Sequence, residues 1–199
     1  MEKKKKLRPG RGLPLDDHWI AKLKKRGQSE FIEVRDSAIH GSGVYAAKDI
    51  PAEEKFVEYV GEMIGKNESE RRAKVQSAKA RKSGGAAVYI FNLSKKWDLD
   101  GSFDWNPARL INHSCEPNCE AFTVGKRIYV YAIGDIKKGE ELTFDYGFLP
   151  DTYEDHPCLC GSEKCIDYIV GKDHHKALQD LLAAAKNGEF LQEELAAHE

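Results

Sequence analysis

A β-rich α+β domain is the fold class that this sequence predicts. Short alternating runs that read as strands recur between Phe31 and Phe144. One long polar stretch without Pro or Gly interrupts them, and leucine spacing of helical period returns only after Lys172.

In chain order, residues 1–28 read as a basic, loosely ordered leader punctuated by Pro9, Gly10, Gly12 and Pro14. A short amphipathic piece is expected around Asp17 to Arg26. Phe31 to Val34 and Val44 to Ala46 read as strands, with Gly41-Ser42-Gly43 as the turn signal between them. Phe56 to Val60 alternates and stops at Gly61. Asn67 to Lys82 is rich in helix formers, with Asn67 as N-cap, Glu70 as its capping-box partner and Gly84-Gly85 as the stop. Val88 to Phe91, Trp97 to Leu99, Arg127 to Ala132 and Glu141 to Phe144 complete the strands. From Lys172 the pattern is helical through Leu178, Leu181, Leu182, Phe190, Leu191 and Leu195, with Gly188 expected to split it. No internal repeat is present.

The 199 residues suffice for one core plus tails. Hydrophobic content is 41% and charged content 32%, and no apolar run approaches the roughly 20 residues of a membrane helix. The Met-Glu-Lys-Lys-Lys-Lys start lacks the apolar stretch of a secretory signal, so an intracellular protein is expected. The net charge of -2 is unevenly spread: residues 1–26 hold ten Lys/Arg against three Asp/Glu. A basic tail on an acidic body marks either an interaction segment or a solvated leader.

All five cysteines lie in the second half, at 115, 119, 158, 160 and 165. In an intracellular chain they point to metal or catalysis rather than disulfides. Cys158-Leu159-Cys160-Gly161-Ser162-Glu163-Lys164-Cys165 is a C-x-C-x4-C run, and zinc takes sulfur ligands in fours. The fourth ligand must come from elsewhere, and Cys115 and Cys119 are the cysteines that remain. Reduced structural thiols and iron–sulfur ligation are the competing readings.

The stretch from Arg109 to Cys119 packs two Asn, one His, one Ser and a Pro into one loop, which argues for a positioned polar site. Hydrolase chemistry through Ser114 and His113 fits poorly, because adjacent Ser and His do not readily form a nucleophile–base pair and no G-x-S-x-G elbow occurs. Downstream comes Glu141-Leu142-Thr143-Phe144-Asp145-Tyr146.

Together these motifs resemble the SET-domain protein lysine methyltransferases that carry a post-SET zinc segment. His40-Gly41-Ser42-Gly43-Val44-Tyr45 resembles the G-x-G cofactor loop, and Glu58 to Glu62 the Y-x-G strand. Arg109 to Asn118 resembles the R-F-I-N-H-S-C-x-P-N loop, Glu141 to Tyr146 the E-L-x-x-D-Y strand, and Cys158 to Cys165 the post-SET run. Leu110 stands where Phe is usual, and Ser42 where Trp or Arg is common. No cysteine precedes Cys115, so a zinc-rich pre-SET module is absent from this sequence.

The resemblance implies several short β-sheets, a pseudoknot-like C-terminal loop, one inserted helix and a helical C-terminal tail. It divides the chain into the basic leader 1–28, a SET domain 29–148, a zinc-binding segment 149–171 and the tail 172–199. It implies S-adenosylmethionine as methyl donor, contacted by His40, Gly41, Ser42, Tyr89, Asn112 and His113, with Leu159 over the adenine. Zn2+ would sit on Cys115, Cys158, Cys160 and Cys165, leaving Cys119 as a buried thiol. Tyr146 and Tyr59 are the implied catalytic residues, and Phe144 the product-specificity position favouring di- or trimethyl-lysine. Asp145 is expected to brace its loop rather than act as a base. The basic residues of the inserted helix face either substrate or water.

The implied partner is a lysine-containing, basic protein or peptide, a histone or another protein. Nucleic acid would bind only through the leader, and no membrane is involved. The compartment would be cytoplasmic in a bacterium and nuclear or chromosomal in a eukaryote. A catalytically silent SET-like peptide-binding module, or a nucleic-acid binder, would share parts of this pattern.

Overall fold

The computed structural model describes residues 16–83 and 89–196. The first fifteen leader residues, Gly84-Gly85 and Val88 lie outside them. The described chain forms two compact units. One extends to Asn112 and resumes over Asn118–Phe144; the other comprises His113–Pro117 and the chain from Asp145 onward.

The first unit opens with α1 (Asp17–Gly27). Asp16 caps it by accepting the Trp19 N–H at 2.8 Å, and Lys24, Lys25 and Arg26 sit in the last turn, where cations suit the helix dipole. The amphipathic piece expected around Asp17 to Arg26 is this helix, so the second half of the leader is docked. Leu23 and Gly27 are buried, Gly27 lies so close to Val60 that a Cβ would collide, and Arg26 pairs with buried Glu58. Burying Leu23 alone is worth about 1.5–3 kcal/mol.

The strands are β1 (Ile32–Asp36), β2 (Ser42–Ala46), β3 (Lys55–Tyr59), β4 (Glu62–Gly65), β5 (Ile90–Asn92), β6 (Trp97–Asp100), β7 (Asn112–His113), β8 (Cys119–Val124), β9 (Arg127–Ala132) and β10 (Glu141–Phe144). The larger sheet runs β1-β2-β10-β8-β9-β3, and β4-β6-β5 form a smaller one. Ile128, Val130 and Ala132 of β9 point inward while Tyr129 and Tyr131 stay half-exposed, the period-two signature of a one-sided strand.

The sequence does not announce β8, because its large apolar residues, Phe122 and Val124, are exposed. Its strand form follows from pairing with β9 across the two-residue turn Gly125-Lys126, where Gly125 takes a φ of 65°.

The inserted helix, α2, spans Lys66–Ser83 and follows β4 without a loop. Asn67 is therefore inside the first turn rather than its N-cap, and Glu68, not Glu70, does the electrostatic work. Arg71 and Arg72 hold the Glu68 carboxyl down at about 2 by hydrogen bonding. Arg72 also reaches Glu62 at 2.8 Å and Asp100 at 2.7 Å, and Lys66 reaches Asp98 at 2.5 Å. The three acidic groups buried in the smaller sheet are thereby paired by α2, as burial of charge requires. Two basic residues of this helix, Lys66 and Arg72, thus turn toward buried carboxylates.

The second unit carries the cysteine run, a 3-10 turn at Lys172–His174 and α3 (His175–Ala196). The helix runs unbroken through Gly188, contrary to the expected split. A single interior Gly costs only about 1 kcal/mol, which a long helix tolerates.

Candidate active site and thiol cluster

In the first unit the Gly41-Ser42-Gly43 loop is held by a hub at Glu141. One carboxylate oxygen accepts from Ser37 Oγ at 2.7 Å and from Asn112 Nδ2 at 2.8 Å, and the other from the Tyr45 hydroxyl at 3.0 Å. Burial, then the Glu141 carboxylate, raises the Tyr45 phenol above its ordinary value. The Asn112 amide also lies 3.4 Å from the His40 carbonyl and 3.3 Å from the Ser42 carbonyl. Gly43 must be glycine because a Cβ there would overlap the Glu141 carboxylate. Gly41 differs: it takes a φ of 49° with open space where a side chain would be, so its backbone is approachable by a ligand.

An aromatic run follows in the same unit. Tyr59 and Phe91 ring centroids are 4.6 Å apart, and Phe91 and Phe144 are 5.7 Å apart. Tyr59 is buried and donates its hydroxyl to the Tyr89 carbonyl at 3.1 Å. Gly101 makes room for the Tyr59 ring, and its N–H bonds the same Tyr89 carbonyl at 2.8 Å. The Tyr89 ring meets the Arg109 guanidinium at 5.6 Å. Cys119 belongs here as well. It is buried, its thiol is pushed up to about 12 by burial, and it donates to Asn118 Oδ1.

In the second unit Tyr146 is gripped through its backbone. Its N–H meets His113 Nδ1 at 3.2 Å, and the two rings pack edge to face at 5.4 Å. Phe148 packs on the Tyr146 ring at 5.6 Å and on His156 at 5.0 Å. Asp145 accepts the Gly147 N–H on one oxygen and the Lys172 N–H on the other, each at 2.8 Å. Asp145 is thus a brace of its loop, with both oxygens occupied by backbone donors.

The Sγ atoms of Cys115, Cys158, Cys160 and Cys165 lie within 4.8 Å of one another. Cys115 and Cys158 are 3.8 Å apart, far beyond a disulfide and equal to the edge of about 3.8 Å that a tetrahedron of 2.3 Å Zn–S bonds requires. Burial pushes the Cys115 thiol up to about 12 and the Cys158 thiol up as well. At Cys160 burial is outweighed by hydrogen bonds from the Cys115 backbone and Ser162, which draw the thiol down to about 6. Such a group cannot deprotonate fully unless a cation enters it, so the donor set fits a divalent metal. Glu116 ties the loop to the run, accepting from Lys164 Nζ at 2.6 Å and from the Lys164 N–H at 3.2 Å. Leu159, between two of the thiols, is exposed.

Residues 41–147 match the sequence profile of the SET domain. This chain belongs to the SET-domain family. The chain is 38% identical over 149 residues to the histone-lysine N-methyltransferase trithorax of Drosophila virilis, covering 73% of this chain and 4% of that protein. It is 37% identical over 171 residues to a histone-lysine N-methyltransferase, H3 lysine-4 specific, of Emericella nidulans, covering 83% of the chain and 14% of the relative. The protein of that name in Eremothecium gossypii is 41% identical over 139 residues, covering 67% and 14%. The chain thus spans a small fraction of the length of these relatives.

Sequence reasoning about this SET domain missed Ser37, Glu141, Gly101 and Glu116. Glu141 carried a signal: it opens a strand, yet an acid at a position that proves half-buried needs partners. Ser37 and Gly101 carried none, because their importance lies in contacts distant along the chain.

Proposed function

We propose that this SET domain transfers methyl groups from S-adenosylmethionine to the side-chain amine of lysine in a basic protein, with a histone as the substrate class that its relatives' names support. The grip on Tyr146 carries the reading: a tyrosine in this family's motif has its main chain fixed by a buried imidazole and braced by Asp145. Fixing the backbone fixes the hydroxyl's range, and positioning is worth on the order of 7–11 kcal/mol in a displacement reaction.

When bound, the donor supplies an electrophilic methyl on a sulfonium. His40, Gly41, Ser42, Tyr89, Asn112 and His113 are the residues we assign to holding it, and the open backbone at Gly41 supports this. Free lysine has a pKa near ~10.4, so the chain must favour the neutral amine. Tyr59, Phe91 and Phe144 supply apolar aromatic walls that penalise the ammonium form. Tyr146 orients the amine lone pair through its hydroxyl, with Tyr59 assisting. Leu159 covers the adenine. Zinc is the metal we assign to the four thiols, where it would order the segment that bears them. No helix among the described residues is long and apolar enough to cross a membrane. The nucleus, on chromatin, is the proposed location in a eukaryotic host.

The test is incubation with methyl-labelled donor and a panel of histones and host lysate, with Tyr146→Phe as control. Label on lysine of a basic protein is expected. Donor binding without transfer to any protein would leave a silent binding module instead.

Phe144 gives a second expectation. Its ring presents no hydroxyl to hold a water where a growing methylammonium needs space. Wild type is expected to reach di- or trimethyl-lysine, and Phe144→Tyr to stop mainly at monomethyl-lysine, read by mass spectrometry of the product peptide. Monomethyl product from both proteins would remove Phe144 from this role.

A further inference from the structure

We infer that His113 is a positioning residue that links the thiol cluster to the backbone of Tyr146. The inference rests on the proposed roles of Tyr146 and the four cysteines. This role of the imidazole is additional to the donor contact proposed for His113.

His113 is buried, with 3% of its surface exposed. The Tyr146 N–H points at Nδ1 from 3.2 Å. A peptide N–H can only donate, so Nδ1 presents its lone pair and the proton of the neutral ring sits on Nε2. Nε2 lies 3.7 Å from Cys115 Sγ, within reach of an N–H···S hydrogen bond. One ring therefore accepts from Tyr146 and donates to Cys115. The edge-to-face packing on the Tyr146 ring fixes its orientation. A metal-held sulfur is a thiolate, which accepts such a bond far better than a thiol. Metal occupancy thus favours the ring orientation that receives the Tyr146 N–H. In the reverse direction, donation to Cys115 Sγ supports the thiolate as an outer-shell partner does.

Two substitutions separate the two ends of the ring. His113→Asn keeps an oxygen near the place of Nδ1 that can accept the Tyr146 N–H, but it is too short to reach Cys115. His113→Gln carries an amide N–H to the place of Nε2 and has no acceptor at Nδ1. Three readouts apply to the full chain: zinc release to a chromogenic chelator, hydrogen exchange of the Tyr146 amide, and kcat and KM on a histone substrate. His113→Asn is expected to loosen zinc by about 10–100-fold while the Tyr146 amide stays protected. His113→Gln is expected to hold zinc within about threefold of wild type, to expose the Tyr146 amide and to lower kcat roughly tenfold. Equal effects of both substitutions on zinc and exchange would overturn the link, because the ring would then matter only as bulk. A rise in donor KM alone would overturn it in favour of simple cofactor contact. If wild type transfers no methyl, the proposed function fails, while zinc release and exchange still decide the link.

Discussion

On the proposed zinc assignment, stripping zinc from the four-cysteine cluster is expected to abolish methyl transfer and to loosen the second unit. Among its described residues, the regular structure outside α3 is 3-10 turns, the His113 end of β7 and the isolated bridge of Pro157 with Tyr168. Structural zinc supplies about 10–16 kcal/mol of apparent folding free energy in small domains. The loops bearing His113 and Tyr146 belong to this unit, so activity should fall by more than about 10²-fold, given what a 1 Å misplacement costs. Cys158→Ser should do the same. Hydrogen exchange over residues 145–171 before and after chelation checks the structural half, and zinc add-back checks reversibility.

The pH dependence has a definite sign. Without metal, Cys115 and Cys158 hold protons at neutral pH, since both thiols are raised. Metal entry displaces at least these two protons, so affinity should fall by about 10² per pH unit or more as pH drops from neutral. Below about 6, Cys160 also takes a proton in the metal-free form, and the fall steepens. Zinc titrations at several pH values would reveal a pH-independent affinity if the thiols were not the ligands.

The sequence made strands legible where pattern and burial coincide. The Arg127–Ala132 and Glu141–Phe144 runs match β9 and β10 end to end, because their inward residues are apolar. It hid β4, whose first residue is a buried acid paired to Arg72, and β8, whose apolar side chains face outward. The cysteine spacing pointed to a metal set, and the Sγ positions put Cys115, not Cys119, beside the run. What no local pattern could reveal is how the polar loop divides its labour. Asn112 and His113 are neighbours in the extended strand β7, where successive side chains point to opposite faces. Asn112 braces the Gly41 loop of the first unit, and His113 grips Tyr146 in the second. The side-chain contacts of the two neighbours thus fall on different loops, which their adjacency in the motif does not reveal.

Tyr146→Phe is expected to lower kcat by roughly 10²-fold, the scale of loss when a reacting group is left misaligned. The substitution removes one oxygen and leaves the rest of the grip in place. The His113 contact is made by the backbone N–H, and the Phe148 and His113 ring contacts need only the aromatic body. Zinc content should therefore stay near wild type, and the loss should appear in kcat. Tyr59→Phe is the informative comparison. Its hydroxyl is bonded to the Tyr89 carbonyl, so removing it leaves a half-buried acceptor short of one partner while Gly101 still donates to it. A smaller kcat loss is expected there, with a stability loss of about 1 kcal/mol. Steady-state kinetics on one histone substrate distinguish the two tyrosines. A Tyr146→Phe protein that keeps wild-type kcat would show that alignment within an apolar site drives the transfer and that this hydroxyl takes no part in it.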